Sequence, residues 1–178
     1  MCAVNGFTTS ASGFVALGRY APRMTIQSDD TIEEIIAWAE AQSKHILSEG
    51  RPLWGFPLAL AAEVGVKRYD CIRVLRVGVM PTPSCPDLKS IMVQAGMLRP
   101  HLSAMAFGYG VCGPLGFTTG PILAYQFRRV QQYEAAGSIA DFMREYITQI
   151  EQFGYQDAPH NVDARAHQHI RPIARLRR

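Results

Sequence analysis

The spacing of apolar residues predicts that most of this chain is helical. Isoleucine and alanine recur three and four residues apart after Ser28, a favourable helix N-cap, and this pattern stops at Gly50. Similar spacing, bounded by proline and glycine, predicts further helices. They cover residues 57–64, 87–97, 121–136 and 139–153, and a last short helix begins near residue 159.

Two segments have the pattern of β-strands. Residues 71–79 are rich in Val and Leu, and residues 102–120 are apolar with five glycines, which predicts short strands joined in a hairpin. Gly108, Gly110 and Gly113 match the spacing of a nucleotide-binding loop, but Pro114 and Gly116 are incompatible with the helix that must follow. We therefore interpret this segment as structural.

The order of these elements predicts an α+β fold, mostly helical with a small central sheet. A chain of 178 residues has room for one domain, which we place at residues 28–168. Residues 1–27 are predicted to be a flexible N-terminal extension, and residues 169–178 a flexible basic tail.

The charge distribution argues against nucleic acid as a partner. The net charge is +3, but five arginines lie between Arg165 and Arg178, so the rest of the chain has a net charge of −2. No run of 18 apolar residues occurs, which argues against a membrane span. The N-terminus lacks the pattern of an export signal, so we expect a cytoplasmic protein. Nothing in the sequence identifies a protein partner.

Residues 125–134 read Y-Q-F-R-R-V-Q-Q-Y-E, and this run resembles the zinc helix of a bacterial family of small HExxH zinc-metallopeptidase-like (gluzincin-like) proteins. In that family the helix reads like H-E-L-V-H-V-x-Q-Y-E. A glycine, a helix of the F-L-x-x-Y-L type, G-Y-x-x-A-P and an acidic segment follow it. The chain matches these pieces at Gly137 and at residues 132–134, 142–147, 154–159 and 163–164. The resemblance covers residues 28–166 and implies a minimal metallopeptidase-like fold.

The resemblance also shows which residues have been replaced. Tyr125 and Arg129 stand where the family has its two zinc-binding histidines, and Gln126 stands where it has the glutamate base. A protonated phenol is a poor zinc ligand, a guanidinium repels Zn²⁺, and an amide is not a base. Only Asp163 remains, where the family has an acid. We therefore expect no metal and no cofactor at this site, and no peptidase activity.

A second ligand set is conceivable on the last predicted helix. His160, Asp163 and His167 fall three and four residues apart, so one helix face would gather them. A single helix rarely supplies three ligands to one ion. We regard a metal site here as the weaker alternative to a polar, solvated helix end.

The replaced residues predict a polar, ligand-sized cleft. One hypothesis is that Arg129 and Asp163 form a structural ion pair there, and that the protein is a binding or regulatory pseudoenzyme. The other is a metal-independent isomerase, cyclase or lyase on a small organic substrate, for example in a biosynthetic pathway. In that case Arg129 holds an anion, Tyr125 donates a proton and Asp163 or Glu134 accepts one. Gln126, Tyr133 and His160 complete the predicted ligand-binding set.

The loss of the zinc motif has a direct test. We expect the purified, untagged protein to contain far less than one zinc per chain by elemental analysis. Its melting temperature should not change when a chelator is added, because no metal stabilises the fold. Near-stoichiometric zinc together with a lower melting temperature after chelation would contradict the prediction, and would make His160, Asp163 and His167 the ligands to test.

Overall fold

The structure is a computed structural model that describes residue 26 and residues 28–100 and 102–171. This part of the chain holds six α-helices, one 3₁₀ turn (Tyr69–Cys71) and four short strands. In chain order the α-helices and strands are α1 (Asp29–Glu49), β1 (Arg51–Pro52), α2 (Phe56–Val64), β2 (Arg73–Arg76), α3 (Pro86–Gln94), β3 (Met105–Phe107), β4 (Gly110–Gly113), α4 (Gly120–Ala136), α5 (Ile139–Asp157) and α6 (Pro159–His167).

The α+β prediction is confirmed, with differences in detail. The predicted strand over residues 71–79 is shorter in the structure, because Cys71 ends a 3₁₀ turn, and β1 was not predicted at all. The predicted N-terminal extension lies outside the described residues apart from Ile26, and so do residues 172–178 of the predicted tail. Ile170, inside that tail, packs against the core.

The ends of the helices follow from local sequence. Ser28 and Ser138 cap α1 and α5 with side-chain oxygens that accept from the backbone N–H groups of Thr31 and Asp141. α4 has a proline in its first turn and ends just before Gly137, whose φ of 91° is a backbone conformation that glycine adopts without strain. Among the described residues, no helix combines the length and the apolar character needed to cross a membrane.

The four strands form one mixed sheet in the order β1-β2-β4-β3. β2 and β4 run parallel, whereas β1–β2 and β3–β4 are antiparallel. The β3–β4 pair is the predicted hairpin. Along β4, Val111 and Cys112 are both fully buried and pack in different hydrophobic clusters, because successive side chains of a strand point to opposite faces.

The sheet therefore separates two hydrophobic clusters. One is built mainly from α1, α3 and α5, and the other mainly from α2 and α4. α4 contributes to both, since Phe127 and Val130 belong to the second cluster and Tyr133 to the first. A helix in this position has buried residues on more than one face, and that is why polar side chains of α4 end up inside the protein.

Glycine lets elements approach β4 closely. A Cβ at Gly110 would lie 3.0 Å from Cβ of Ile46 on α1, and a Cβ at Gly113 would lie 2.5 Å from Cγ of buried Phe117. Real Cβ atoms do not come so close to a side chain, so any larger residue displaces a packed neighbour.

We expect Gly113→Ala to lower the free energy of unfolding by about 1–3 kcal/mol, because Phe117 must move out of a packed position. Gly78→Ala is the matched control, since a Cβ there meets nothing within 4 Å. It should change stability by less than about 0.5 kcal/mol. Urea denaturation followed by circular dichroism measures both variants, and equal midpoints would contradict the predicted close packing.

Candidate functional site

A cavity of about 360 Å³ lies between α4, α5 and the segment that leads into β3. Four of the seven predicted site residues line it: Tyr125, Gln126, Arg129 and Tyr133. The other three, Glu134, His160 and Asp163, are not part of its lining. We call this space the Arg129 cavity, because Arg129 is its buried charged group.

Arg129 is only 9% exposed and is held by aromatic rings. Its guanidinium carbon lies 4.1 Å from the ring centroid of Tyr146 and 5.0 Å from that of Phe142, both on α5. A cation over an aromatic face is attracted by the ring electrons. The structure gives the guanidinium one hydrogen bond to protein, which Nη1 donates to Oε1 of Gln132 over 3.2 Å. An arginine has five N–H donors, so most of this capacity is not used by side chains.

The predicted ion pair between Arg129 and Asp163 is wrong. Asp163 pairs with Arg128, which donates from Nε over 2.7 Å and from Nη2 over 3.0 Å. Arg128 and Arg129 are neighbours on α4, and their side chains leave the helix about 100° apart. Only Arg128 faces the carboxylate on α6. Within the described part of the chain, no carboxylate pairs with Arg129.

Gln132 connects the two arginines. Its oxygen accepts from Arg129, and its amide nitrogen donates to Oδ2 of Asp163 over 2.7 Å and to the backbone oxygen of His160 over 3.0 Å. Arg128 and Gln132 together lower the pKa of Asp163, although burial opposes its ionisation. The negative charge of Asp163 is thus balanced by Arg128. In the described structure, the hydrogen-bond partner of Arg129 is a neutral amide.

The α6 side chain that reaches Tyr125 is Asn161, not Asp163 as predicted. Asn161 is fully buried, and its oxygen accepts from the hydroxyls of Tyr125 (3.3 Å) and Tyr146 (3.1 Å). Its amide nitrogen donates to the backbone oxygen of Tyr155 over 2.5 Å. Asn161 is the third residue of α6, a helix with few apolar residues, and no sequence pattern marked its role.

The tyrosines around Arg129 stay protonated. Burial raises the pKa of Tyr125 and of Tyr146, against the opposing effect of the Arg129 cation. Burial also raises the pKa of Tyr133 to about 12. At neutral pH these phenols are therefore neutral groups that donate hydrogen bonds, and none of them is a base.

Several apolar residues also line the cavity and were not predicted. They include Trp38 and three methionines, Met92, Met97 and Met143, together with Phe107 at the end of β3. Trp38 packs edge-on against Phe107, with ring centroids 5.3 Å apart. Methionine is flexible and polarisable, so this wall adapts to different ligand shapes. No local pattern marks these residues, because they come from four separate elements.

Glu134 lies outside the cavity and makes structural hydrogen bonds, whereas the sequence predicted it as a proton acceptor. Its carboxylate accepts from the backbone N–H groups of Lys67 and Arg68 and from the hydroxyl of Tyr109, each over 2.8 Å. Burial opposes its ionisation, but these three donors lower its pKa. Glu134 joins α4 to the turn after α2 and to the hairpin.

The alternative metal ligands on α6 do not converge. Nε2 of His160 lies 3.2 Å from Glu145, whereas Nδ1 of His167 lies 3.5 Å from Asp163, which Arg128 already holds. Burial lowers the pKa of His160, whose ring stacks on Phe142. Among the residues that the structure describes, no three His, Cys, Asp or Glu side chains are placed to share an ion.

Comparisons with known proteins add nothing to this description: no family model, no curated protein and no solved structure matches the chain. The resemblance to zinc-metallopeptidase-like proteins therefore stays a prediction.

The Glu134 contacts predict a stability difference that depends on pH. Glu134→Gln should lower the free energy of unfolding by about 1 kcal/mol at neutral pH, because an amide accepts these hydrogen bonds less strongly than a carboxylate. A lowered pKa stabilises the folded state above the ordinary glutamate pKa of about 4.3, and this contribution is lost as the pH falls through the folded pKa.

The difference between wild type and Glu134→Gln should accordingly shrink in acid. Denaturant titrations at a series of pH values measure it. Glu63→Gln on α2 is the control, since the structure gives this exposed carboxylate neither a hydrogen bond nor an ion pair. A difference that does not depend on pH would show that the Glu134 charge contributes nothing.

Proposed function

We propose that this protein is a ligand-binding pseudoenzyme that holds a small organic anion in the Arg129 cavity. It would do so without metal and without peptidase chemistry, as the replacement of the zinc-binding residues suggests. The volume of about 360 Å³ suits a small molecule rather than a peptide segment.

One observation carries this proposal: a buried guanidinium in a cavity wall has no carboxylate partner in the described structure. An unpaired charge taken out of water costs several kcal/mol. Proteins that bury arginine normally pair it. A bound carboxylate or phosphate would supply the missing negative charge and accept the unused N–H groups, in the bidentate geometry that arginine favours.

The rest of the lining fits the same kind of ligand. The wall of Trp38, Phe107 and the methionines offers an apolar surface to the body of such a ligand. A ligand with an acidic head and an apolar body therefore matches both Arg129 and this apolar wall. The walls offer no net negative charge to compete with that head, because no Asp or Glu belongs to the lining.

The alternative, a metal-independent isomerase, cyclase or lyase, has weaker support. Acid–base chemistry needs a proton acceptor beside the donor. Glu134 and Asp163, the predicted acceptors, do not line the cavity, and neither does His160. The raised pKa values keep Tyr125, Tyr133 and Tyr146 protonated. The cavity as described holds donors without a base, which favours binding over catalysis.

We also propose that the protein acts in the cytoplasm and does not bind nucleic acid. The first point is compatible with the finding that no helix among the described residues could cross a membrane, and the second rests on the negative net charge of the chain before its arginine-rich end.

The test is Arg129→Met. We expect linear monocarboxylates such as hexanoate, and aryl acids such as phenylpropanoate, to bind the wild type in calorimetric titrations. The variant should bind them about tenfold more weakly or worse, because a charge-assisted hydrogen bond is lost. The ligand-free variant should melt no lower than the wild type, since methionine removes a buried unpaired charge.

Arg144→Met is the matched control for the change in net charge. Arg144 is exposed on α5, and its partner is Glu33 on α1. The Arg144→Met variant should bind the acids with the same affinity as the wild type. If Arg129→Met melts far lower while keeping its affinity for the acids, Arg129 is a structural residue and the proposal is wrong.

A further inference from the structure

The Arg129 cavity has a second cation at its solvent-exposed end. Arg99, in the loop after α3, lines the same cavity and is exposed, whereas Arg129 is buried. Among the described residues, these two arginines are the only charged side chains in the lining, and neither has a carboxylate partner.

Arg99 is held in place rather than loosely extended into solvent. Its guanidinium carbon lies 4.0 Å above the ring centroid of Tyr155, and Nε donates to the backbone oxygen of Gly96 over 3.3 Å. With the Gln156 amide turned so that its oxygen faces Arg99, both Nη atoms donate to it over 2.9 and 3.0 Å. Two terminal N–H groups are left for a ligand.

The backbone allows this position because Gly96 has no side chain. Its φ is 76°, and a Cβ there would lie 3.0 Å from Cβ of Tyr155. The loop after α3 can therefore approach α5 closely, at the point where Gly154 interrupts the helical backbone with φ 76° and ψ 162°. Tyr155, next to this interruption, lines the cavity.

Both arginines belong to one continuous wall. Arg99 stacks on Tyr155, whose backbone oxygen accepts from Asn161. Asn161 accepts from Tyr146, and Arg129 lies over the Tyr146 ring. A ligand that fills the cavity thus meets two cations of its lining, the buried Arg129 and the exposed Arg99.

We propose that the ligand of the Arg129 cavity is an organic dianion, with one anionic group on Arg129 and a second on Arg99. This inference rests on the proposed function, because it names the class of anion that the same cavity takes. Two positive charges in the lining of one cavity, with no acid among the described lining residues, favour a dianion, because a monoacid leaves Arg99 without a counter-charge.

The experiment compares linear monocarboxylates with α,ω-dicarboxylates of the same carbon number, titrated calorimetrically into the full chain. We expect one chain length at which the diacid binds about threefold to fivefold more tightly than its monoacid. This is the range for an exposed charge pair, which contributes up to about 1 kcal/mol. The advantage should decline with added salt.

Arg99→Met should remove the advantage of the diacid and leave monoacid affinity within about twofold of wild type. Arg99→Glu reverses the charge, so this variant should bind the diacid more weakly than the monoacid of the same carbon number. Arg76→Met is the control. It removes the same charge, but Arg76 is exposed at the end of β2 and lies outside the cavity.

The outcomes separate this inference from the proposed function. If monoacids and diacids bind equally at every length, or if Arg99→Met weakens both classes equally, the dianion proposal is wrong and anion binding at Arg129 stands. If neither class binds the wild type, both proposals fall.

Discussion

The ion pair between Arg128 and Asp163 decides the electrostatic character of the cavity. Two hydrogen bonds from Arg128 and one from Gln132 satisfy the carboxylate, so α4 and α6 are joined through a neutral unit. Had Asp163 turned toward Arg129 instead, the cavity would contain a neutralised cation. Because Arg128 holds Asp163, the charge of Arg129 stays unbalanced inside the protein, and the anion-binding proposal depends on that charge.

The aromatic residues of α5 make that charge tolerable without cancelling it. Tyr146 and Phe142 present their faces to the guanidinium, which is more weakly hydrated than an ammonium and stacks readily on rings. Such stacking recovers part of the desolvation cost and, within the described part of the chain, leaves all but one of the N–H donors of Arg129 without a hydrogen-bond partner. A protein that keeps this arrangement gives up stability, which is typical of positions retained for binding.

The chemistry of the site is opposite to that of a zinc centre. A zinc ion needs deprotonated ligands with a free electron pair, whereas the groups gathered around Arg129 are a guanidinium, protonated phenols and amides. Tyr125 and Arg129 are one turn apart on α4, at the positions that the resemblance assigns to zinc-binding histidines. Asn161 meets Tyr125 from α6, and it contributes no charge. A lining with two arginines and, among the described residues, no carboxylate is suited to an anion rather than to a metal ion.

The sequence by itself determined most of the elements, since helical spacing and helix caps depend on local information. Helical spacing, serine caps and glycine ends predicted all six helices, and the identity of three α4 side chains sufficed to argue against the zinc chemistry. The tertiary structure decided which side chains meet. Neighbouring arginines on α4 differ in direction by about 100°, so only the packing of α6 determines that Arg128 and not Arg129 reaches Asp163. The same reason hid Arg99 and Tyr155, which line the cavity from a loop and from α5 at the point where Gly96 lets the loop approach the helix.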